Sequence, residues 1–154
     1  MGRVEEIYIA ASKKAPVIKV ESAVLEAGKG IVGDRYHLFA EKLLAAGQAV
    51  LDNHLTLISR EVLDDFLAAH PAELGYGDFR RSVITSGIDL NQLVGKEFRL
   101  GGALCRGAEL CEPCTTLQKM VHSEVIPHLV NRGGLRAVIL ESGEIESGSE
   151  ITAD

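Results

Sequence analysis

No apolar run in this sequence approaches the ~20 residues that a helix needs to cross a bilayer. The first residues, Met1-Gly2-Arg3-Val4-Glu5-Glu6, lack the basic start and apolar stretch of a secretory signal. Glu6 stands where a Ser or Thr would follow a lipidated Gly2, so a myristoyl anchor is excluded too. A soluble cytoplasmic protein with no membrane partner is the expectation. An excess of positive charge is also missing: the formal net charge is −6. That balance argues against a protein that gains its affinity by neutralising many phosphates, and so against a nucleic-acid partner. It leaves room for one small anionic ligand held by a local basic cluster. The cysteines are few and odd in number, three, and all lie between Cys105 and Cys114. A stapled secreted domain would spread an even set along the chain, so thiol chemistry or metal binding is the better suspicion. Neither a linker, a repeat nor a compositional break interrupts the 154 residues, which fit a single domain over 1–154.

What is present is a series of short strands. Val4–Ala10 and Val17–Leu25 read as strands on either side of the loop Ser12-Lys13-Lys14-Ala15-Pro16. Ile18, Val20, Ser22 and Val24 fall on one face of the second, the period-two pattern of a half-buried strand. A glycine-rich loop follows, from Gly28 to His37, and then a short helical piece over Glu41–Ala46. His54–Ile58 alternates like a strand and runs into Ser59, a good N-cap for a helix that ends before Pro71. Ser82–Thr85, Glu97–Leu100, Ala103–Leu110 and Leu135–Leu140 read as further strands, and Thr115–Ser123 and Val125–Asn131 as helices. About seven strands with glycine turns and a few connecting helices predict a mainly β (α+β) fold built on a closed or nearly closed antiparallel β-barrel. Strand edges in such a fold can also pair two copies into a homodimer.

The most specific local pattern is Cys111-Glu112-Pro113-Cys114, between a predicted strand and a predicted helix. A sulfur at a helix N-terminus lies near free N–H groups and the positive end of the dipole, which favours thiolate, the form that attacks sulfur or ligates a soft metal. That position singles out Cys114, whereas Cys105, inside an apolar strand, reads as a small buried hydrophobe. The pair can be used in two other ways. A dithiol redox motif would need thioredoxin-like βαβ surroundings, which are absent. Half a zinc site would need His122 and His128 as nitrogen ligands, although the interval from Cys114 to His122 is shorter than in a zinc finger. A second cluster, Arg80-Arg81-Ser82, can grip a phosphate or carboxylate through bidentate hydrogen bonds. In the glycine-rich loop, Gly33, Asp34 and Arg35 can bring backbone and a cation to an anion, and His37 is a candidate proton donor or acceptor. Asp34 can equally serve only to fix the turn. The spacing matches neither a P-loop nor a dinucleotide fingerprint.

Together these segments resemble the MOSC family, named for the C-terminal domain of molybdenum cofactor sulfurases. The resemblance runs in order through Gly33-Asp34-Arg35-Tyr36-His37, Leu55–Ser59, Arg80–Leu90, Leu93–Lys96, Cys111–Cys114 and Arg132–Leu140. It implies a β-barrel fold and a thiol at Cys114 that carries sulfur as a persulfide or ligates molybdenum. It also implies that Arg81 and the Gly33–His37 loop hold the molybdopterin and its phosphate, with Arg80 and Cys111 beside them. One departure is Ser82, where the family usually has Asn; a shorter hydroxyl replaces an amide, so one contact to the pterin would be lost or made through water. Members joined to a PLP-dependent sulfurase carry a large N-terminal domain, and nothing in this chain suggests a PLP lysine. The resemblance therefore implies PLP only on a partner protein. Its functional expectation is a cofactor-binding protein or small reductase of N-hydroxylated compounds, served by an electron-donor protein. The alternatives are a persulfide carrier supplied by a cysteine desulfurase and a zinc-stabilised structural module.

Overall fold

The computed structural model describes residues 2–153. Its strands are β1 (Gly2–Ile9), β2 (Ile18–Val20), β3 (Ser22–Glu26), β4 (Gly30–Ile31), β5 (Leu55–Ser59), β6 (Val83–Ser86), β7 (Glu97–Leu100), β8 (Ala103–Leu110), β9 (Leu135–Glu141), β10 (Gly143–Glu146) and β11 (Glu150–Ala153). The helices are α1 (Arg35–Ala45), α2 (Arg60–Ala69), α3 (Thr115–Met120) and α4 (Val125–Leu129). Among the described residues no helix is long and apolar enough to cross a membrane.

Seven strands close into a barrel in the order β1-β6-β5-β9-β8-β7-β11, and β11 returns to β1 by pairing Ile151 with Gly2 and Glu150 with Arg3. The expected closed barrel is therefore present, with one pair that is parallel rather than antiparallel. β5 and β6 run the same way, Leu57 opposite Val83 and Ser59 opposite Thr85. Parallel neighbours need a crossover, and α2 supplies it, capped by the Ser59 hydroxyl accepting from Val62 N–H. The segment read as one strand over Val17–Leu25 is two. β2 pairs with β1, while β3 pairs with β10 and β4 in a separate three-stranded sheet.

Period-two alternation on the barrel wall builds two cores. Leu55, Leu57 and Val83 point into the barrel with Val4, Phe98, Leu135 and Ile151. Ile58 and Ile84 point outward, where Leu63 and Phe66 of α2, Leu117 of α3 and Leu129 of α4 cover them. β5 and β6 are thus buried on both faces, as a parallel pair beneath a crossover helix should be. The helices on this wall carry the chain back to the thiol loop.

α1 begins much earlier than the sequence pattern suggests, at Arg35 rather than Glu41. The reason is Asp34, which is wholly buried. Its carboxylate accepts from Tyr36 N–H at 3.4 Å and from Ala10 N–H at 2.9 Å. It therefore caps the helix and fastens it to the end of β1. The Arg35 N–H adds a bond to the Ala10 carbonyl at 2.7 Å.

Candidate functional site

The thiol loop is braced from three sides. Cys111 donates its N–H to the Gly134 carbonyl at 2.7 Å. Arg81 donates Nε to the Gly133 carbonyl at 2.8 Å and Nη2 to the Cys111 carbonyl at 3.0 Å. The Glu112 carboxylate accepts from Asn131 N–H at 2.9 Å. A side chain at Gly133 would collide with the Cys111 carbonyl, and one at Gly134, whose φ is +107°, would collide with the Leu57 carbonyl. Only glycines let the Arg132–Leu135 segment lie this close to the loop.

Within that frame the three cysteines differ sharply. Cys105 is buried in the barrel, where burial pushes its thiol up to about 12. Cys111 is buried beside Arg136 of β9, and its sulfur holds that guanidinium above its usual pKa. Cys114 is exposed, and as N-cap of α3 its Sγ accepts from Leu117 N–H at 3.4 Å. Of the three, only Cys114 presents an accessible sulfur, the position singled out from sequence.

A second assembly forms where α1 meets the loop after β1. Arg35 pairs with Asp34 at 3.2 Å, donates to the Arg80 carbonyl at 3.3 Å, and lies over the Tyr36 ring at 4.5 Å. Arg80, at φ +61° in the left-handed region, donates to the carbonyls of Lys13 and Ala15, both at 2.8 Å. Burial, and then the nearby Arg35 guanidinium, hold Arg80 below its usual pKa. Only Arg35 is paired with the carboxylate, while Arg80 is spent on backbone carbonyls. Arg35 borders a groove of about 800 Å³ whose walls include Lys13, Tyr36, Phe39, Glu41, Lys42 and Asn53.

Several residues singled out from sequence lie outside this groove or are already engaged. Arg81 is occupied as the strut of the thiol loop. Ser82 is buried, donates its N–H to the Thr56 hydroxyl at 3.0 Å, and has its own hydroxyl 3.4 Å from the same group. Gly33, at φ +90°, makes the turn into Asp34. His37 does not line the groove. Its imidazole is turned toward Glu26 at 3.5 Å and Glu41 at 4.0 Å, and of these only Glu41 also borders the groove. His122 and His128 gather with His70 around Phe66 instead of the cysteines. Among the described residues, the one cluster with metal-ligand spacing contains neither Cys111 nor Cys114, which removes the support for a zinc module built on that pair. Ser12, Lys13, Lys42 and Asn53 line the groove without having been singled out from sequence. The Lys13-Lys14 pair in a loop was the available signal, but only the fold carries that loop to Arg80.

A closed mixed barrel with an exposed thiol on a braced loop and a cationic groove defines the class. The family model of the MOSC domain matches residues 34–152, and the chain belongs to that family, which is associated with the molybdenum cofactor. No curated protein matches. Among solved structures, the YUAD protein from Bacillus subtilis is similar, with TM-score 0.78 and 18% identity, over 98% of this chain and 94% of that one. YiiM from Geobacillus stearothermophilus has TM-score 0.76 and 13% identity, over 100% and 75% of the two chains. YiiM from Escherichia coli has TM-score 0.69 and 18% identity, over 99% and 70%. At these identities the likeness concerns the fold.

Proposed function

We propose that this protein binds the molybdenum cofactor in the groove beside α1, with the Cys114 thiolate as metal ligand, and reduces N-hydroxylated compounds with electrons from a donor protein. The observation that carries the reading is the set of cations on the groove wall, Lys13, Arg35 and Lys42. Set against Glu41 and the buried Asp34, they leave positive charge that a phosphate would neutralise. The donor set suits the group: a soft, exposed sulfur for molybdenum, and arginine, lysine, Ser12 and Asn53 for a polar, anionic pterin.

When bound, the cofactor would supply the two-electron chemistry. The chain's own residues bind and orient. Arg35 and Lys13 hold the phosphate. Arg80 keeps the Lys13–Ala15 backbone over the groove, and Arg81 keeps the thiol loop at fixed height. Tyr36 and Phe39 shield one wall from water. Proton delivery from His37 would have to pass through Glu41, the residue common to its cluster and the groove.

The test is the molybdenum and pterin content of wild type and Cys114→Ser, purified without oxygen from cells that make the cofactor. Both components in wild type, and molybdenum lost from the variant, support the reading; neither in folded wild type overturns it. The exposure of Cys114 also favours a second reading, a persulfide carrier loaded by a cysteine desulfurase. In that case incubation with a desulfurase adds ~32 Da per sulfur to Cys114 through thiolate attack, and wild type carries no molybdenum.

A further inference from the structure

Beside the groove, and meeting it only at Glu41, lies a cluster that holds no part of the proposed cofactor. His37 and Glu41 are four residues apart on the helix and so project from one side. Glu26, the last residue of β3, reaches the same point from the sheet. One ligand atom from each of the three lies within 4.8 Å of the other two. The His37 side chain is only 9% exposed, and its Nε2 is buried without a hydrogen-bond partner. That nitrogen faces Glu26 Oε1 at 3.5 Å and Glu41 Oε1 at 4.0 Å. An orphaned buried nitrogen between two carboxylates calls for an explanation.

Lys29 supplies half of one. Its ammonium lies 2.9 Å from Glu26 and 3.0 Å from Glu41, so the carboxylates already draw a cation. It does not satisfy His37. Lys29 stands between Gly28, at φ +77°, and Gly30, at φ +150°, and is a quarter exposed, so it can swing into solvent without disturbing the sheet. Gly30 also sets the geometry: a Cβ there would lie 2.8 Å from the His54 carbonyl and 3.2 Å from His37 N. Glycine thus lets the β3–β4 hairpin reach α1.

We propose that Glu26, His37 and Glu41 form a binding site for a divalent transition-metal ion of the Mn²⁺ or Zn²⁺ class, and that Lys29 is the resident cation it displaces. One imidazole and two carboxylates are a nitrogen and oxygen set suited to such ions. Metal–ligand bonds of ~2.0–2.2 Å place neighbouring ligand atoms roughly 3–3.5 Å apart. The separations of 3.5 and 4.0 Å at His37 need to contract only slightly to reach that. Both glutamates are partly exposed, at 40% and 49%, which leaves room for water to complete the coordination.

Mn²⁺ is the probe of choice, because as a harder ion it discriminates against Cys111 and Cys114. The full chain is titrated with Mn²⁺ and free ion is followed by electron paramagnetic resonance. Wild type is expected to bind one equivalent, with Lys29→Met measurably tighter. Glu41→Gln and His37→Gln should be weaker by at least ~10-fold, the scale of losses around metal sites. Glu41 is exposed, so its variant tests the ligand without disturbing the core. Millimolar Mn²⁺ leaving wild type unbound overturns the site, even if Lys29→Met binds, because the lysine then wins in the natural chain. Wild-type affinity in both Glu41→Gln and His37→Gln overturns the ligand set. None of these outcomes depends on whether the groove holds the molybdenum cofactor.

Discussion

The groove and the hairpin cluster, which meet at Glu41 of α1, carry opposite charge and balance it differently. On one, Arg35 pairs with the buried Asp34 and stands on the groove wall with Lys13 and Lys42. On the other, Glu26 and Glu41 face His37 and are partly neutralised by Lys29 from the same hairpin. The lysine is held above its usual pKa by its bonds to the two glutamates, the mark of a cation among its own partners. Among the described residues, Arg35 has only Asp34 as an ion-pair partner, and that carboxylate also holds two backbone N–H groups. A self-neutralised cluster can persist without a ligand, whereas like charges crowded on a groove wall are tolerated because something of opposite sign visits. The contrast ranks the groove as the primary site and the hairpin cluster as a secondary one.

The sharpest way to break this contrast is at its shared foundation, Asp34. Its carboxylate caps α1, ties the helix to Ala10 and pairs with Arg35, all without solvent contact. Asp34→Ala leaves a buried guanidinium and two N–H groups without their acceptor, and is expected to cost ~3 kcal/mol. Urea denaturation measures this. A cost under about 0.5 kcal/mol, the size of an ordinary surface change, would show that α1 does not hang from that residue.

Next in size is Arg81, where the question is strut against ligand. Two charge-assisted bonds to the Gly133 and Cys111 carbonyls predict that Arg81→Ala loses ~2 kcal/mol in the absence of any cofactor. A residue that only grips phosphate would instead lower cofactor content and leave the denaturation midpoint where it was. Smaller still, and opposite in kind, is Cys114→Ser. The side chain is exposed, so stability should change by less than ~0.5 kcal/mol. Molybdenum content should fall at least ~10-fold, since the proposed ligand is removed. Equal molybdenum in both proteins would remove Cys114 as that ligand.

Much of this was legible in the sequence where local rules decide. β7 and β8 have the expected boundaries because alternation and the Gly101-Gly102 turn specify them without outside help. Ser59 and Cys114 read correctly as helix starts, since a cap acts within three residues. The start of α1 was hidden, because Asp34 caps it while bonding to Ala10, 24 residues away. β10 and β11 escaped notice: short and rich in glutamate, they become strands because β3, β7 and β1 offer them edges. At the site, residue types were legible but their partners were not. Arg81, read as an anion ligand, donates to two carbonyls of the thiol loop, and His37, read as a proton donor or acceptor, faces two carboxylates. Side-chain direction depends on tertiary packing, which spacing alone does not encode.

The smallest expected effect concerns His54, which sits between the groove and the hairpin cluster: Asn53 beside it lines the groove, and its own carbonyl packs against Gly30. The ring is buried, and its Nδ1 accepts from Ile139 N–H at 2.8 Å, so it must be neutral there. Burial, opposed by Asp52, lowers its pKa below the ordinary 6.5. The unfolded chain therefore takes up the proton first as pH falls. This stabilising contribution is complete above pH 6.5 and is lost as pH drops from there through the folded-state value, by at most ~1.4 kcal/mol per pH unit for one proton. Urea midpoints at pH 7.5, 6.5 and 5.5 should decline in wild type more steeply than in His54→Gln, whose amide cannot titrate. Parallel declines would mean that the acid-labile groups lie elsewhere, with the three imidazoles around Phe66 the next to replace.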